Sequence, residues 1–294
     1  MPDAYELASK GLFMAAARRS HRFGRVGFTA ALSRVWYWAL LVGLYSLIPI
    51  WVAPPGWADE LDFGPVVDTV LGFAIGFVLV MRINRAYERW WEARTLWGWL
   101  VNASRNLALK ARELADLDAD EQADVARLIV GFADALKAHL RHEAVLQEVP
   151  GFESETDTPA HVPSHLAGRL YDRIAGWEKS GRITPQALWM LDQELREFMQ
   201  VAGGCEKIKN TLMAQSFPTL VRQAIFIYLV YLPWSIEPEF GLLTVPLSIG
   251  LSYFVIAAEG IAYYVERPFG ADDDHLDLEE ICDGIRTSVN EILS

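Results

Sequence analysis

The amino-acid sequence predicts an all-α membrane protein with four transmembrane helices per subunit and a large cytosolic helical region. Residues 35–53 and 240–258 carry no charged side chain, and residues 63–81 carry only Asp68, near their start. Each stretch is long enough to cross roughly 30 Å of hydrocarbon as a helix. The sequence shows no strand-like alternation of apolar and polar residues over any length. The chain is therefore predicted to span a lipid bilayer as helices.

The fourth predicted span, residues 219–236, is the weakest, because Arg222 and Gln223 lie in its first turn. Taken alone, this segment is also compatible with a buried helix of a soluble domain. Tryptophans lie near the ends of the predicted spans, as is typical of membrane interfaces. They are Trp36, Trp38, Trp51, Trp57, Trp90, Trp91 and Trp234.

Charged residues flanking the spans predict the orientation in the membrane. Arginines precede the first span and follow the second, whereas the connectors "PPGWADELDFG" and "SIEPEFG" are acidic. Cytoplasmic flanks are enriched in Arg and Lys, so both termini and the long middle are predicted to be cytoplasmic. Four spans satisfy this arrangement and three would not. The protein is therefore expected to be a multi-pass protein of the cell (inner) membrane.

This topology divides the chain into five predicted segments. They are a cytosolic N-terminal segment (1–31), the first two transmembrane helices (32–94), a cytosolic helical insert (95–216), the last two transmembrane helices (217–266) and an acidic cytosolic C-terminal helix (267–294). The insert shows apolar residues at three- and four-residue spacing, which predicts amphipathic helices. Gly203 and Gly204 are expected to interrupt the last of these.

Composition and motifs exclude several function classes. A net charge of −12 argues against nucleic acid as a partner, because phosphate binding needs clustered Lys and Arg. Cys205 and Cys282 lie far apart and are predicted to be free thiols. No nucleophile elbow or phosphate loop is present, so the sequence predicts no enzyme. The alternative is a membrane-anchored metal-dependent enzyme using His139, His142 and Glu143, although a solvated helix face is the favoured explanation of these residues.

Three bulky apolar residues follow one another at four-residue spacing in the second span. Phe73, Phe77 and Met81 form this apolar stripe, and Gly72 and Gly76 form a GxxxG beside it. In one interpretation the glycines pack two helices closely and the aromatic rings face lipid. In the other, copies of the stripe from several subunits surround a pore. Such a constriction gates by dewetting, because an ion would have to shed water with no replacement from the wall.

Two charged groups follow the spans. Arg82, Arg85 and Arg89 come directly after the apolar stripe. They are either topological anchors paired with acids such as Glu88 and Glu92, or a positive ring that concentrates anions at the inner mouth. An acidic run follows the last span. Its members are Asp272, Asp273 and Asp274. This run is either a Ca²⁺ site or an acidic helix N-terminus stabilised by the helix dipole.

Three motifs in order resemble the bestrophins, and the prokaryotic branch of that family most closely. They are "R-x-N-x-A-Y-x-R-W-W-E-A-R-x-L-W-G" at residues 82–98, "GGCEKI" at residues 203–208 and "PFG-x-D" beginning at Pro268. The resemblance extends over roughly residues 23–293. It implies a homopentameric ion channel in which each subunit contributes its second span to a central pore.

The resemblance also assigns roles to residues. It implies a narrow pore neck at Phe73, Phe77 and Met81, although the family usually has Ile or Phe at the last position. A second, cytosolic aperture is implied at about Leu212 and Met213, where relatives often carry Pro-x-Pro and this chain reads "NTLMAQSFP".

Ion selectivity and calcium dependence are further implications of the resemblance. Eukaryotic bestrophins conduct chloride and other anions, while some bacterial relatives conduct Na⁺ and K⁺. We expect an anion channel, with a monovalent-cation channel as the alternative. The calcium clasp of animal bestrophins matches the acidic run at residues 272–274. Ala271 and His275 replace the acids expected on either side, which argues against Ca²⁺ as a cofactor.

Overall fold

The computed structural model describes residues 30–52, 64–211, 216–271 and 275–294, and within these ranges the chain is helical with no strand. The helices are α1 (Ala30–Tyr45), α2 (Leu47–Val52), α3 (Gly64–Ala115), α4 (Ala119–Arg141), α5 (Val162–Lys179), α6 (Pro185–Asn210), α7 (Ser216–Phe240), α8 (Thr244–Val265) and α9 (Leu278–Ile292). Short 3₁₀ turns lie at Leu146–Glu148 and Gly241–Leu243. The all-helical class predicted from the sequence is confirmed.

Three stretches of the described chain are long and apolar enough to cross a membrane. They are Val35–Val52, Thr69–Ala115 and Ser216–Val265, and the last contains both α7 and α8, joined by the 3₁₀ turn. Within the 18-residue apolar window of each stretch, only 28%, 17% and 28% of the residues are buried within the chain. Such large exposed apolar surfaces are not stable in water, so they need lipid or another subunit as a cover.

Helix α3 connects the apolar and polar parts of the molecule without a break. It contains 52 residues, which corresponds to a length of about 78 Å at 1.5 Å per residue. Its first half carries the apolar stripe, and its second half packs against α6 and α9. The predicted segment boundary at residue 94 therefore falls inside one continuous helix.

The helical insert and the C-terminal helix share one hydrophobic core. Trp97 is fully buried in it, and Phe132 and Phe198 face each other with ring centroids 4.8 Å apart. The apolar face of α9 joins the same core through residues such as Ile285 and Val289, because α9 packs on both α3 and α4. The C-terminal segment is thus part of the insert's fold.

Glycines allow two close helix contacts. A Cβ atom on Gly43 of α1 would lie 2.3 Å from Cγ1 of Ile249 on α8. A Cβ atom on Gly204 of α6 would lie 2.9 Å from both terminal carbons of Leu96 on α3. Helix α6 runs unbroken through this point, so the expected interruption at Gly203 and Gly204 is wrong: the second glycine serves packing and does not end the helix.

Both cysteines are free and buried in the core that the insert shares with α9. Burial removes the thiolate from water and raises the pKa of each thiol, Cys205 and Cys282, to about 12. These thiols therefore stay protonated and unreactive at neutral pH, as expected for structural cysteines.

Candidate functional site

The apolar stripe lies uncovered on one face of α3. Phe73 is 74% exposed, Phe77 57% and Met81 40%. The two phenyl rings stack with centroids 6.3 Å apart and planes inclined by 17°. Residues four positions apart on a helix lie on the same side with a drift of about 40°. The stripe is therefore a continuous apolar strip that is largely uncovered by the described residues of its own chain.

The opposite side of α3 is the side packed within the chain. Leu79 is buried there against Val221 and Ile225 of α7 and Val255 of α8. Arg82 follows Leu79 on this buried side, about 180° around the helix from Phe73. The fold thus fixes which face of α3 is internal and leaves the stripe facing away from the subunit.

The GxxxG pair does not mediate packing inside the subunit. A Cβ atom added at Gly72 or Gly76 would meet no other atom within 4 Å. No described helix of the same chain therefore packs closely against these glycines.

Arg82 lies at the centre of a buried charge network. Its side chain is fully buried, with Nε 3.4 Å from Glu259 Oε2 and Nη2 2.8 Å from Glu266 Oε2. Glu259 also accepts a hydrogen bond from Nε of Arg222 at 3.3 Å. The network joins α3, α7, α8 and Glu266, which directly follows α8. The prediction that Arg82 belongs to an inner-mouth ring is corrected, because a buried and neutralised guanidinium cannot face a lumen.

Arg89 is also engaged within the chain. Its guanidinium donates to the carbonyl oxygens of Ile208 and Thr211, the latter at 2.6 Å. These are among the last carbonyls of α6, which have no partner within the helix. Arg89 therefore caps the end of α6. The predicted aperture residues Leu212 and Met213 come next in the chain and lie outside the described residues.

Arg85 is the one member of the predicted ring with an exposed side chain. It is four residues after Met81 and so continues the four-residue series of the apolar stripe. A positive charge there would follow directly below the apolar strip. The tertiary structure thus separates three arginines that the sequence grouped: one is buried, one caps a helix and one is available to a pore.

Two histidines meet in the helical insert, and only one of them, His139, belongs to the predicted set. His139 Nε2 lies 3.0 Å from Glu206 Oε1, and His161 Nε2 lies 2.6 Å from the same oxygen. The predicted partner His142 is exposed, as is Glu143 beside it. Glu206 belongs to the "GGCE" motif, but its partners lie 45 and 67 positions earlier in the sequence, so no local spacing indicates this cluster.

The hydrogen bonds of this cluster favour a structural role over a metal site. The backbone N–H of Ser164 donates to His161 Nδ1 at 3.0 Å, so the side chain of His161 caps the N-terminus of α5. A neutral imidazole that accepts at Nδ1 carries its proton on Nε2. His161 therefore donates to Glu206, and neither of its nitrogens has a lone pair free for a metal. Burial lowers the pKa of His139, which keeps that ring neutral.

The Pro-Phe-Gly turn after α8 is described up to its acidic run. Phe269 is buried in the core that the insert shares with α9, and Leu276 N–H donates to Pro268 O at 2.9 Å, which closes the turn. The imidazole of His275 packs directly over Gly270. The candidate Ca²⁺ ligands Asp272, Asp273 and Asp274 lie outside the described residues.

Comparison with known proteins shows which family the chain belongs to. The profile of the family described as Bacterial/Fungal Bestrophin protein matches residues 17–291. The chain belongs to this family.

Curated bestrophin-like relatives cover most of the sequence. A voltage-dependent anion channel-forming protein of Salmonella typhi is 29% identical over 263 residues, 87% of this chain and 86% of the relative. One of Nostoc sp. is 29% identical over 245 residues, 78% and 80% of the two chains.

Solved structures confirm the bestrophin fold. Two variants of a bacterial bestrophin homolog from Klebsiella pneumoniae superpose with TM-scores of 0.77 and 0.79 at 21% and 23% identity. The two superpositions cover 90% and 87% of this chain, and 99% and 98% of the chains of the two variants. The resemblance inferred from the three sequence motifs and the all-α membrane fold are both confirmed.

Proposed function

We propose that five copies of this bestrophin form a channel that conducts monovalent anions such as chloride across the cell's inner membrane. The observation that carries the proposal is the uncovered apolar stripe of Phe73, Phe77 and Met81 on α3, on the side opposite to the packed face. The names of the curated relatives, which are anion channel-forming proteins, support conduction of anions. They give no support to the cation channel or to a metal-dependent enzyme.

The stripe accounts for a gate that needs no charged group. Five copies of each residue would form three stacked apolar rings around the axis. An ion entering them loses hydration water, and no oxygen or nitrogen on the wall replaces it. Conduction then depends on how wide and how wet the rings are. Met81 provides the most flexible ring, because its unbranched thioether side chain adapts its shape.

The helix lengths support four spans per subunit. Helices α7 and α8 have 25 and 22 residues, and a span needs about 20. The first span comprises α1 and α2, and the second is the first half of α3. With the arginine-rich flanks inside, both termini and the core that contains Trp97 and Phe132 are cytoplasmic.

The preference for anions would come from charge beyond the rings. Apolar rings have no sign, so selectivity depends on groups in the vestibules. Because Arg82 is neutralised by two carboxylates and Arg89 caps α6, Arg85 is the arginine of the three that can act on permeating ions. Five Arg85 side chains below the neck would attract anions from the cytosol.

A planar-bilayer recording under a KCl gradient tests the proposal. A reversal potential near that of chloride is expected, and one near that of potassium would overturn the anion assignment. Phe77→Ala should increase conductance by widening the middle ring. Phe254→Ala is the matched control, because Phe254 is 70% exposed on α8 and lies off the stripe. Equal effects of the two variants would contradict the neck, and a purified particle other than five 33.1 kDa chains would contradict the pentamer.

A further inference from the structure

A cavity lined by basic side chains lies where the helices of the cytosolic region meet the turn after α8. Its volume is about 350 Å³. It is bounded by α3, the ends of α4 and α6, and the Pro-Phe-Gly turn. The basic residues lining it are Arg89, Arg141, His142, Lys209 and Arg267. No carboxylate among the described residues lines it, although the protein as a whole carries a net charge of −12.

The described residues neutralise the positive charge of this cavity only in part. Lys209 Nζ donates to the backbone carbonyl of His139 at 2.7 Å, and Arg267 donates to the hydroxyl of Tyr263. Within the described part of the chain, Arg141 is the lining cation that pairs with a carboxylate, that of Glu279 at 2.8 Å. That carboxylate is shared with a second cation, Lys137, at 2.7 Å.

Two of the lining arginines have an N–H donor with no acceptor among the described residues. These donors are the buried Nε atoms of Arg89 and Arg141. Buried donors in folded proteins nearly always have a partner, so these two guanidinium groups have hydrogen-bonding capacity that the described residues leave unused. A bound oxyanion would supply acceptors to both guanidinium groups.

The cavity lies close to the predicted cytosolic edge of the membrane. Arg267 comes two residues after the end of α8, and Arg89 comes eight residues after Met81 on α3. Eight residues of helix correspond to about 12 Å. Basic pockets between helices at the cytoplasmic face are suited to the head groups of anionic lipids.

We propose that this cavity binds a phosphate group, either on an anionic lipid head group or on a free phosphate compound. Arginine guanidinium groups match the geometry of phosphate oxygens, and lysine adds a point charge. The volume suits a small ligand better than a single water or chloride ion. Because Arg89 also caps α6, a bound phosphate would stabilise the segment that leads into the predicted aperture.

Calorimetric titration of the purified full-length protein tests this site. The titrants are inorganic phosphate, short-chain phosphatidylglycerol and, as a zwitterionic control, short-chain phosphatidylcholine. Binding of inorganic phosphate alone assigns the site to free phosphate compounds, and binding of phosphatidylglycerol alone assigns it to lipid. Binding of both supports recognition of the shared group. Binding of neither, or equal binding of phosphatidylcholine, overturns the proposal.

Two matched lysines on α6 locate the binding. Lys209→Gln should weaken the affinity by about tenfold or more, because one charge-assisted contact is lost. Lys207→Gln should leave it unchanged, because Lys207 is 70% exposed, pairs with Glu92 and does not line the cavity. Equal effects of the two variants would mean non-specific surface attraction and would overturn the site. If Lys209→Gln does not fold, Arg267→Gln is the replacement variant, with the same expected loss.

Discussion

Replacing Arg82 by glutamine would remove the cation that two buried carboxylates share. In the native fold Arg82 is completely buried and contacts both Glu259 and Glu266, whose side chains are 11% exposed. Glu259 keeps a second partner, Arg222, in the variant. Glu266 loses the cation that contacts it at 2.8 Å. The main cost of the substitution is therefore one stranded carboxylate.

Removing one partner of a buried ion pair typically costs about 3–5 kcal/mol, because the remaining charge stays desolvated. A chain of this size loses about 2–4 °C in melting temperature per kcal/mol, so Arg82→Gln should melt roughly 6–20 °C lower. The double variant Arg82→Gln with Glu266→Gln should recover part of this loss, since it also removes the stranded charge. Arg85→Gln is the matched control, and as an exposed substitution it should change stability by about 0.5 kcal/mol or less.

Thermal melting of the purified protein, followed by size-exclusion chromatography, measures these shifts. A bilayer recording of the same variants adds the functional side: Arg85→Gln should move the reversal potential away from that of chloride. The reasoning is refuted if Arg82→Gln is as stable as the native protein and itself changes ion selectivity. That result would place Arg82 in the pore.

Three further predictions concern the helical insert and α9. Gly204→Val should destabilise the protein by about 1–3 kcal/mol through overpacking. Gly203→Val is the control without overpacking, because a Cβ atom there meets open space. Equal losses of melting temperature in the two variants would contradict the close contact at Gly204. His139 has a lowered pKa in the fold, so as pH falls through its usual value of about 6.5 the unfolded chain binds the proton first and stability decreases. The His139→Gln variant should show a smaller decrease in melting temperature between pH 7 and pH 5.5, and an identical pH profile would disprove the assignment. Cys205 and Cys282 should resist alkylation in the folded protein and react after denaturation, as read by mass spectrometry; rapid labelling of the native protein would show that they are accessible.

The apolar stripe and the spans were predictable because they depend on local composition. A helix places residues four apart on one side regardless of what surrounds it, so Phe73, Phe77 and Met81 share a face by spacing alone. The family motifs at residues 82–98 and 203–208 could also be recognised from the sequence, because each is contiguous in the chain. The family comparison confirmed the resemblance and the fold, whereas the neck and the aperture remain predictions.

The roles of the three arginines could not be read from the sequence. Arg82 and Arg89 lie on nearly the same side of α3, with Arg85 about 60° away, so spacing alone suggested a common function. Their partners separate them: Glu259 lies 177 positions from Arg82, and Ile208 lies 119 positions from Arg89. The basic cavity and the cluster of His139, His161 and Glu206 escaped detection for the same reason, since each collects residues from several distant helices.

By itself the sequence determined which segments are helical, which are apolar enough for a bilayer and which side chains share a helix face. These properties follow from the 3.6-residue period and from the free energy of transferring each side chain out of water, both of which act locally. Only the tertiary structure decided which charges are neutralised and which remain free. The strength of an electrostatic interaction depends on distance and on burial, and packing of helices far apart in sequence sets both.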